Sequence, residues 1–211
     1  SNRVKDIPQL RDNFLCIYTT GSYGRFEASE NSDLDLFFLD SNEKKFTSNI
    51  DKTLINADVI KICRIMGLPE FSKDGGYLTI HNIGEIKNEL GSPNDDYYNY
   101  FTARMLLLLE SKPIYNEQLH LSCLEQIINP YYVDFHDHSQ SFKPIFLTND
   151  IIRFWKTLCL NYEHRRRRKQ DEKAEDKIVT HSKNIKLQFS RKLTCFSFIL
   201  QLASFKGTIN E

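Results

Sequence analysis

Between two short apolar runs, FLCIYTT (14–20) and LDLFFL (34–39), lies a turn-rich and largely polar segment, GSYGRFEASENS, and this arrangement constrains the fold more than any other feature. Both runs are rich in β-branched and aromatic residues, and the first stops abruptly at Gly21, so both read as strands. A connector of that composition sets side chains and backbone N–H groups at the edge of a sheet, where they are free to do chemistry.

Composition narrows the class. The 28 Lys and Arg balance 28 Asp and Glu, so no global field draws the 211-residue chain to nucleic acid or anionic lipid, and any such contact is local. Hydrophobic content of 40% with only 8 Gly and 6 Pro describes a folded chain of one large domain or two small ones. No run approaches the roughly 18–20 apolar residues of a membrane span, and SNRVKDIPQL lacks the layout of a secretory signal. The missing initiator Met points to a processed or trimmed chain. The five cysteines, Cys16, Cys63, Cys123, Cys159 and Cys195, are odd in number and far apart, which fits reduced thiols in a cytoplasm.

Further along, Ile55, Val59, Ile62, Cys63 and Met66 recur at helical spacing from about Phe46, ending at Gly67 and Pro69. YLTIHNI (77–83) reads as a third strand after the turn KDGG. Helical periods then cover 97–109 and 117–128, separated at Pro113, and the second half reads as all-helical. A further helix starts at Thr148-Asn149-Asp150, residues 165–183 read as a polar connector, and a last helix spans about 183–206. The expected fold is α+β, a small mixed sheet over residues 1–92 followed by a helical bundle over 93–211.

Gly21-Ser22 is followed, after ten intervening residues, by Asp33-Leu34-Asp35. Strand alternation puts Asp33 and Asp35 on one face, with Leu34 and Leu36 on the other. Such a pair repels unless a cation sits between the carboxylates, and hard oxygen ligands with room for water and phosphate suit Mg²⁺ (or Mn²⁺). Gly21 allows close backbone approach, Ser22 and the N–H groups of the turn are candidates to hold nucleotide phosphates, and Arg25 adds positive charge.

This pattern resembles the polymerase-β-type nucleotidyltransferase superfamily. More narrowly, GSYGRFEASENSDLDLFFL is similar to the start of the catalytic domain in bacterial uridylyltransferases and adenylyltransferases that modify regulators of nitrogen metabolism. The matching features are Gly24-Arg25, Glu27, Ser32 before Asp33, and the apolar strand after Asp35. The likeness is specific over 14–40 and diffuse beyond, where TARMLLLLESKPIYNE (102–117) and FLTNDIIRFWKTLCLNYEHRRR (146–167) are similar in tone to the helical parts of such enzymes.

The resemblance implies that residues 1–92 form the catalytic domain and 93–211 a substrate-binding bundle. Asp33 and Asp35 would be the catalytic metal ligands, with a nucleoside triphosphate as substrate. An acceptor hydroxyl would attack its α-phosphate and release pyrophosphate, with metal ions at the entering and leaving oxygens. The superfamily commonly supplies a third carboxylate from a later strand. Here YLTIHNI offers His81 instead, as metal ligand or base, with Glu85 and Glu110 in reserve.

Other motifs carry weaker signals. Asp150, Arg153, Thr157, Asn161 and His164 share one helix face opposite Ile151, Trp155, Leu158 and Tyr162, so that face is either solvated or the wall of a cleft where Arg153 meets nucleotide. Arg165 to Lys169 could hold RNA phosphates, but Asp171, Glu172, Glu175 and Asp176 follow at once, and a solvated helix end is the better reading. Asp134, His136 and His138 alternate and would reach one Zn²⁺ only in an extended segment. Tyr97, Tyr98 and Tyr100 read as a helix interface. The expected function is nucleotidyl transfer to a protein or small-molecule acceptor in preference to RNA. The alternatives are a nucleotide-binding regulator without turnover and an RNA-modifying toxin.

Overall fold

Strands β1 (Leu15–Thr19) and β2 (Leu36–Asp40) are buried along their whole length, because helices cover both faces of the sheet they form. In the computed structural model the described residues are 14–30, 32–41, 48–69, 71, 75, 78–139, 141–168 and 174–204. The sheet order is β3-β2-β1-β4, with β3 at Ile80–Asn82 and β4 at Lys112–Tyr115. β1 runs antiparallel to both neighbours, pairing Thr19 with Leu36 on one side and with Lys112 on the other. β2 and β3 are parallel, with Leu39 beside His81. The architecture is thus α+β, a small mixed sheet with a mostly helical remainder.

Alternation along the strands builds two cores. Leu15, Ile17, Leu36, Phe38 and Ile80 point to Ile55, Val59 and Cys63 of α2 (Asn49–Ile65). Cys16, Tyr18, Phe37 and Leu39 point the other way. There they meet Ile83 and Ile86 of α3 (Ile83–Asn88), Ala103 and Leu107 of α5 (Tyr100–Glu110), and Cys123 and Ile127 of α6 (Glu117–Ile128). Phe38 is wholly buried, a burial worth about 2–3 kcal/mol. The expected helix before Gly67 begins at Asn49, because Ser48 closes a capping box with Asp51. Phe46 and most of the KDGG turn lie outside the described residues.

The second half is not all-helical. β4 completes the sheet, and Pro113 is tolerated because β4 is an edge strand. The chain divides into compact units at Ser1–Pro130 and Tyr131–Glu211, and β4, α5 and α6 pack on the sheet within the first. Besides those helices, the first unit holds α1 (Gly21–Gly24) and α4 (Pro93–Tyr97). The second unit carries α7 (Phe135–His138), α8 (Ile145–Arg168), α9 (Ala174–Lys186) and α10 (Lys192–Ala203), with a π-helical stretch at Leu187–Arg191 between the last two. Thr148 lies inside α8 instead of capping it, and helix occupies most of the stretch read as a connector. No helix among the described residues is long and apolar enough to cross a membrane.

Candidate nucleotide site

β1 ends at Thr19, and Thr19 and Thr20 together fix the backbone of Asp35. The Thr19 hydroxyl donates to the Asp35 carbonyl at 3.0 Å, and the Thr20 N–H donates to the same oxygen at 3.1 Å. Asp33 and Asp35 lie just before β2 rather than within it, around Leu34, which forms an isolated parallel bridge with Phe71. Alternation nevertheless holds. Ser32, Leu34 and Leu36 are buried, Asp33 is exposed and Asp35 is half-buried, so both carboxylates leave the core on the same side.

Gly21 has φ +63°, and a Cβ there would stand 2.8 Å from Oδ2 of Asp35. Only glycine combines that backbone angle with that approach. α1 is a single turn beginning at this glycine and carrying the half-buried Ser22. Gly24 closes the turn against the end of α5, where a Cβ would come within 1.8 Å of the Glu110 carbonyl oxygen. Ser32 anchors the far end of the connector, its hydroxyl oxygen accepting from the Ser29 N–H at 2.9 Å.

Arg25 does not point free positive charge at this opening. Its Nη1 donates to Oε2 of Glu110 at 2.5 Å and its Nε to Oε2 of Glu27 at 3.0 Å. The Arg25 and Glu110 side chains are only 8% and 1% exposed, which makes this a desolvated ion pair. Glu110, read from the sequence as a reserve ligand, is thereby the anchor of Arg25. The turn and its surroundings carry four carboxylates, Glu27, Asp33, Asp35 and Glu110, against the guanidinium of Arg25 and the ammonium of Lys112.

His81 is not brought to the carboxylates. The parallel register sets it beside Leu39, four residues past Asp35, about 13 Å at the rise of a strand. Its ring lies edge-on to Tyr100 at 6.1 Å, and burial, reinforced by the charge of Lys52, pushes its pKa down to about 4. Glu85 accepts from the Tyr100 hydroxyl at 3.0 Å, and burial with that carboxylate raises the phenol to about 12. A third metal ligand was expected from this region. Among the described residues no three His, Cys, Asp or Glu side chains form a group that could hold an ion.

The remaining motifs fall elsewhere. Arg153 sits on α8 in the second unit, 3.8 Å from Oδ1 of Asp150, whose Oδ2 accepts from the Tyr131 hydroxyl at 2.6 Å. Asp150 is buried and Thr157 bonds back to the Arg153 carbonyl, whereas Asn161 and His164 are exposed, so the polar face is not uniform. His136 and His138 lie on the helical turn α7, where residues two apart diverge, and the extended Zn²⁺ arrangement does not form. Tyr97 and Tyr98 are exposed and stack edge-on against each other, not in a helix interface. Arg166 pairs with Glu163 on the exposed end of α8, while Lys169, Asp171 and Glu172 lie outside the described residues.

Asp33 and Asp35 would have to hold a hard cation from one side only. Mg²⁺ characteristically takes one or two protein carboxylates and completes its shell with water and substrate phosphates. One exposed and one half-buried carboxylate at an open turn match that donor set, and a closed all-protein cage does not.

No family model matches the chain, and no curated protein matches it. Among solved structures it is similar to a chain titled "Crystal structure of the toxin-antitoxin with AMP-PNP", at 18% identity and a TM-score of 0.35. That likeness covers 65% of this chain and 92% of the other.

Proposed function

We propose that this protein is a metal-dependent nucleotidyltransferase. The observation that carries the reading is the meeting of Gly21 with Asp35. A glycine held at φ +63° leaves room for a carboxylate only 2.8 Å from where a Cβ would stand, with Asp33 leaving the core on the same side. Asp33 and Asp35 would hold Mg²⁺ or Mn²⁺, and the ion, when bound, supplies charge neutralisation for the phosphates of a nucleoside triphosphate.

The residues of the chain supply position. Thr19 and Thr20 hold the Asp35 backbone, Gly21 and Ser22 present the turn to the polyphosphate, and Gly24 seats that turn on α5. In the reaction, an acceptor hydroxyl oxygen forms a bond to the α-phosphorus while the α–β bridging P–O bond breaks. Pyrophosphate leaves with that electron pair, and the hydroxyl proton passes to solvent. The acceptor is a protein side chain or a small molecule.

A second reading, a nucleotide-binding regulator without turnover, is favoured by one observation. The register sets His81 beside Leu39, and no other side chain stands in as third ligand among the described residues. Calorimetric titration with ATP, GTP, CTP and UTP, with and without Mg²⁺, tests the shared premise. Metal-dependent binding that disappears in Asp33→Asn/Asp35→Asn supports it, and no binding of any nucleotide overturns both readings.

A further inference from the structure

α9, the π-helical stretch and α10 form one unbroken helix over 174–203, because the junction residues Lys186 and Arg191 both keep right-handed helical angles. At about 1.5 Å per residue it is roughly 45 Å long. One side of it packs inward, with Leu187 and Cys195 buried, as befits a helix that lies against α8. The opposite side breaks the usual rule for a surface helix, whose outer face is charged or polar. Ile178, Ile185, Phe189, Leu193, Phe196 and Leu200 are between 41% and 72% exposed. They recur at intervals of seven, four, four, three and four residues, so they share one face. A π turn is wider than an α turn, and the stretch at Leu187–Arg191 keeps Phe189 in line with Ile185 and Leu193 where a regular α-helix would drift. The result is a ridge of large apolar side chains roughly 33 Å long at the helical rise, unlike the scattered apolar residues of an ordinary surface.

Charge selects what covers the ridge. Residues 177–210 hold Lys177, Lys183, Lys186, Arg191, Lys192 and Lys206 and no Asp or Glu. Lys186 and Lys192 are exposed and stand three residues before and after Phe189, which puts one on each side of the ridge. A second copy of the helix laid on it, parallel or antiparallel about Phe189, would bring lysine against lysine with no carboxylate between them. The covering surface is therefore anionic. Apolar residues on the outermost line with lysines on both flanks are the layout of a helix that lies in a membrane interface. There the apolar side chains enter the boundary of the acyl chains, while the lysine stems run along it and set their ammonium groups among the headgroup phosphates. A protein partner would have to supply an acidic groove of the same length, whereas a lipid surface needs no matching shape.

We infer that the ridge over 178–200 is a docking face for anionic lipid bilayers, on which the helix lies in the plane of the headgroups without crossing the membrane. The contact is local, as the balanced charge of the whole chain requires. It does not depend on the nucleotide site.

The test is co-sedimentation of the full chain with vesicles of phosphatidylcholine alone and of phosphatidylcholine containing about 30% phosphatidylserine. Wild type sediments with the anionic vesicles, about tenfold or more tightly than with the neutral ones, and high salt releases it. Phe189→Ser/Leu193→Ser weakens that binding by about tenfold or more, through lost apolar insertion. Lys186→Gln/Lys192→Gln weakens it about tenfold, through lost attraction to the headgroups. All four side chains are exposed, and an unchanged melting temperature confirms the fold of each variant. Equal binding of wild type to neutral and anionic vesicles overturns the inference. Binding by either variant within about twofold of wild type, the size of an exposed contact of little weight, also overturns it. So does a wild type that sediments with neither vesicle. In that case light scattering separates a dimer, with a second copy on the ridge, from a monomer that leaves the ridge to an acidic protein.

Discussion

Arg25 and Glu110, 85 residues apart in sequence, form a buried ion pair at 2.5 Å that fastens the glycine turn to the end of α5. Such a pair contributes little when both partners are present, but removing one leaves an uncompensated charge in the core. Arg25→Ala and Glu110→Ala are each expected to cost about 3–5 kcal/mol in chemical denaturation. The double variant should cost clearly less than the sum of the two. Additive losses would show that the two side chains do not depend on each other.

Gly24 and Gly21 predict different failures. A Cβ at Gly24 would overlap a backbone carbonyl at 1.8 Å, and neither partner yields easily, so Gly24→Ala should lose about 2–3 kcal/mol of stability. At Gly21 the obstacle is a carboxylate oxygen at 2.8 Å plus a left-handed backbone, so Gly21→Ala should lose about 1–2 kcal/mol. Gly21→Ala should also displace Asp35 and weaken Mg²⁺-nucleotide binding beyond its effect on melting. Equal stability losses, with unchanged nucleotide affinity in Gly21→Ala, would contradict this division.

His81 gives a pH signature. Burial holds its folded pKa at about 4, below the value near 6.5 of the unfolded chain. Between those values the unfolded state binds the extra proton, so stability is complete above about pH 6.5 and falls as the pH drops toward 4. The full loss is on the order of 3 kcal/mol. His120, also lowered by burial, adds to the same limb. Urea denaturation across pH 4–7 should show a shallower acid limb in His81→Asn than in wild type. Superimposable limbs would mean that His81 takes up its proton equally in both states.

Arg104 and Asp95 make a second buried pair, doubly bonded at 2.9 and 2.5 Å, and Nη1 of Arg104 also donates to the Ile86 carbonyl. This pair joins α4 and α5 to α3 behind the sheet. Because the guanidinium serves three acceptor atoms in a plane, Arg104→Lys should fail to restore the stability lost in Arg104→Ala, about 3–5 kcal/mol. Near-wild-type melting of Arg104→Lys would count against that geometry.

What was legible in the sequence follows from locality. β1, β2 and α2 announce themselves by short-range periodicity, and the placing of Asp33 and Asp35 around Leu34 follows from strand alternation alone. β4 was hidden because four residues containing a proline on an edge strand give almost no periodic signal. The roles of Arg25 and Glu110 were hidden because an ion pair closed across the fold leaves no local trace. Gly24 did carry a usable hint, since a second glycine three residues after Gly21 marks a close approach on the turn's other side. His81 misled for the opposite reason. Its strand was recognisable, but which residue of β2 it would lie beside depends on a register that one sequence does not specify.

Transfer of a nucleoside monophosphate would depend on Asp33 and Asp35. Its most direct measurement is incubation of the chain with each α-³²P-labelled nucleoside triphosphate and Mg²⁺ or Mn²⁺ in cell extract, beside Asp33→Asn/Asp35→Asn. Label is expected to move from one of the four nucleotides to a protein or small-molecule product, with pyrophosphate released, in wild type alone. Metal-dependent nucleotide binding without any transferred label would contradict it and leave a nucleotide-binding regulator in its place.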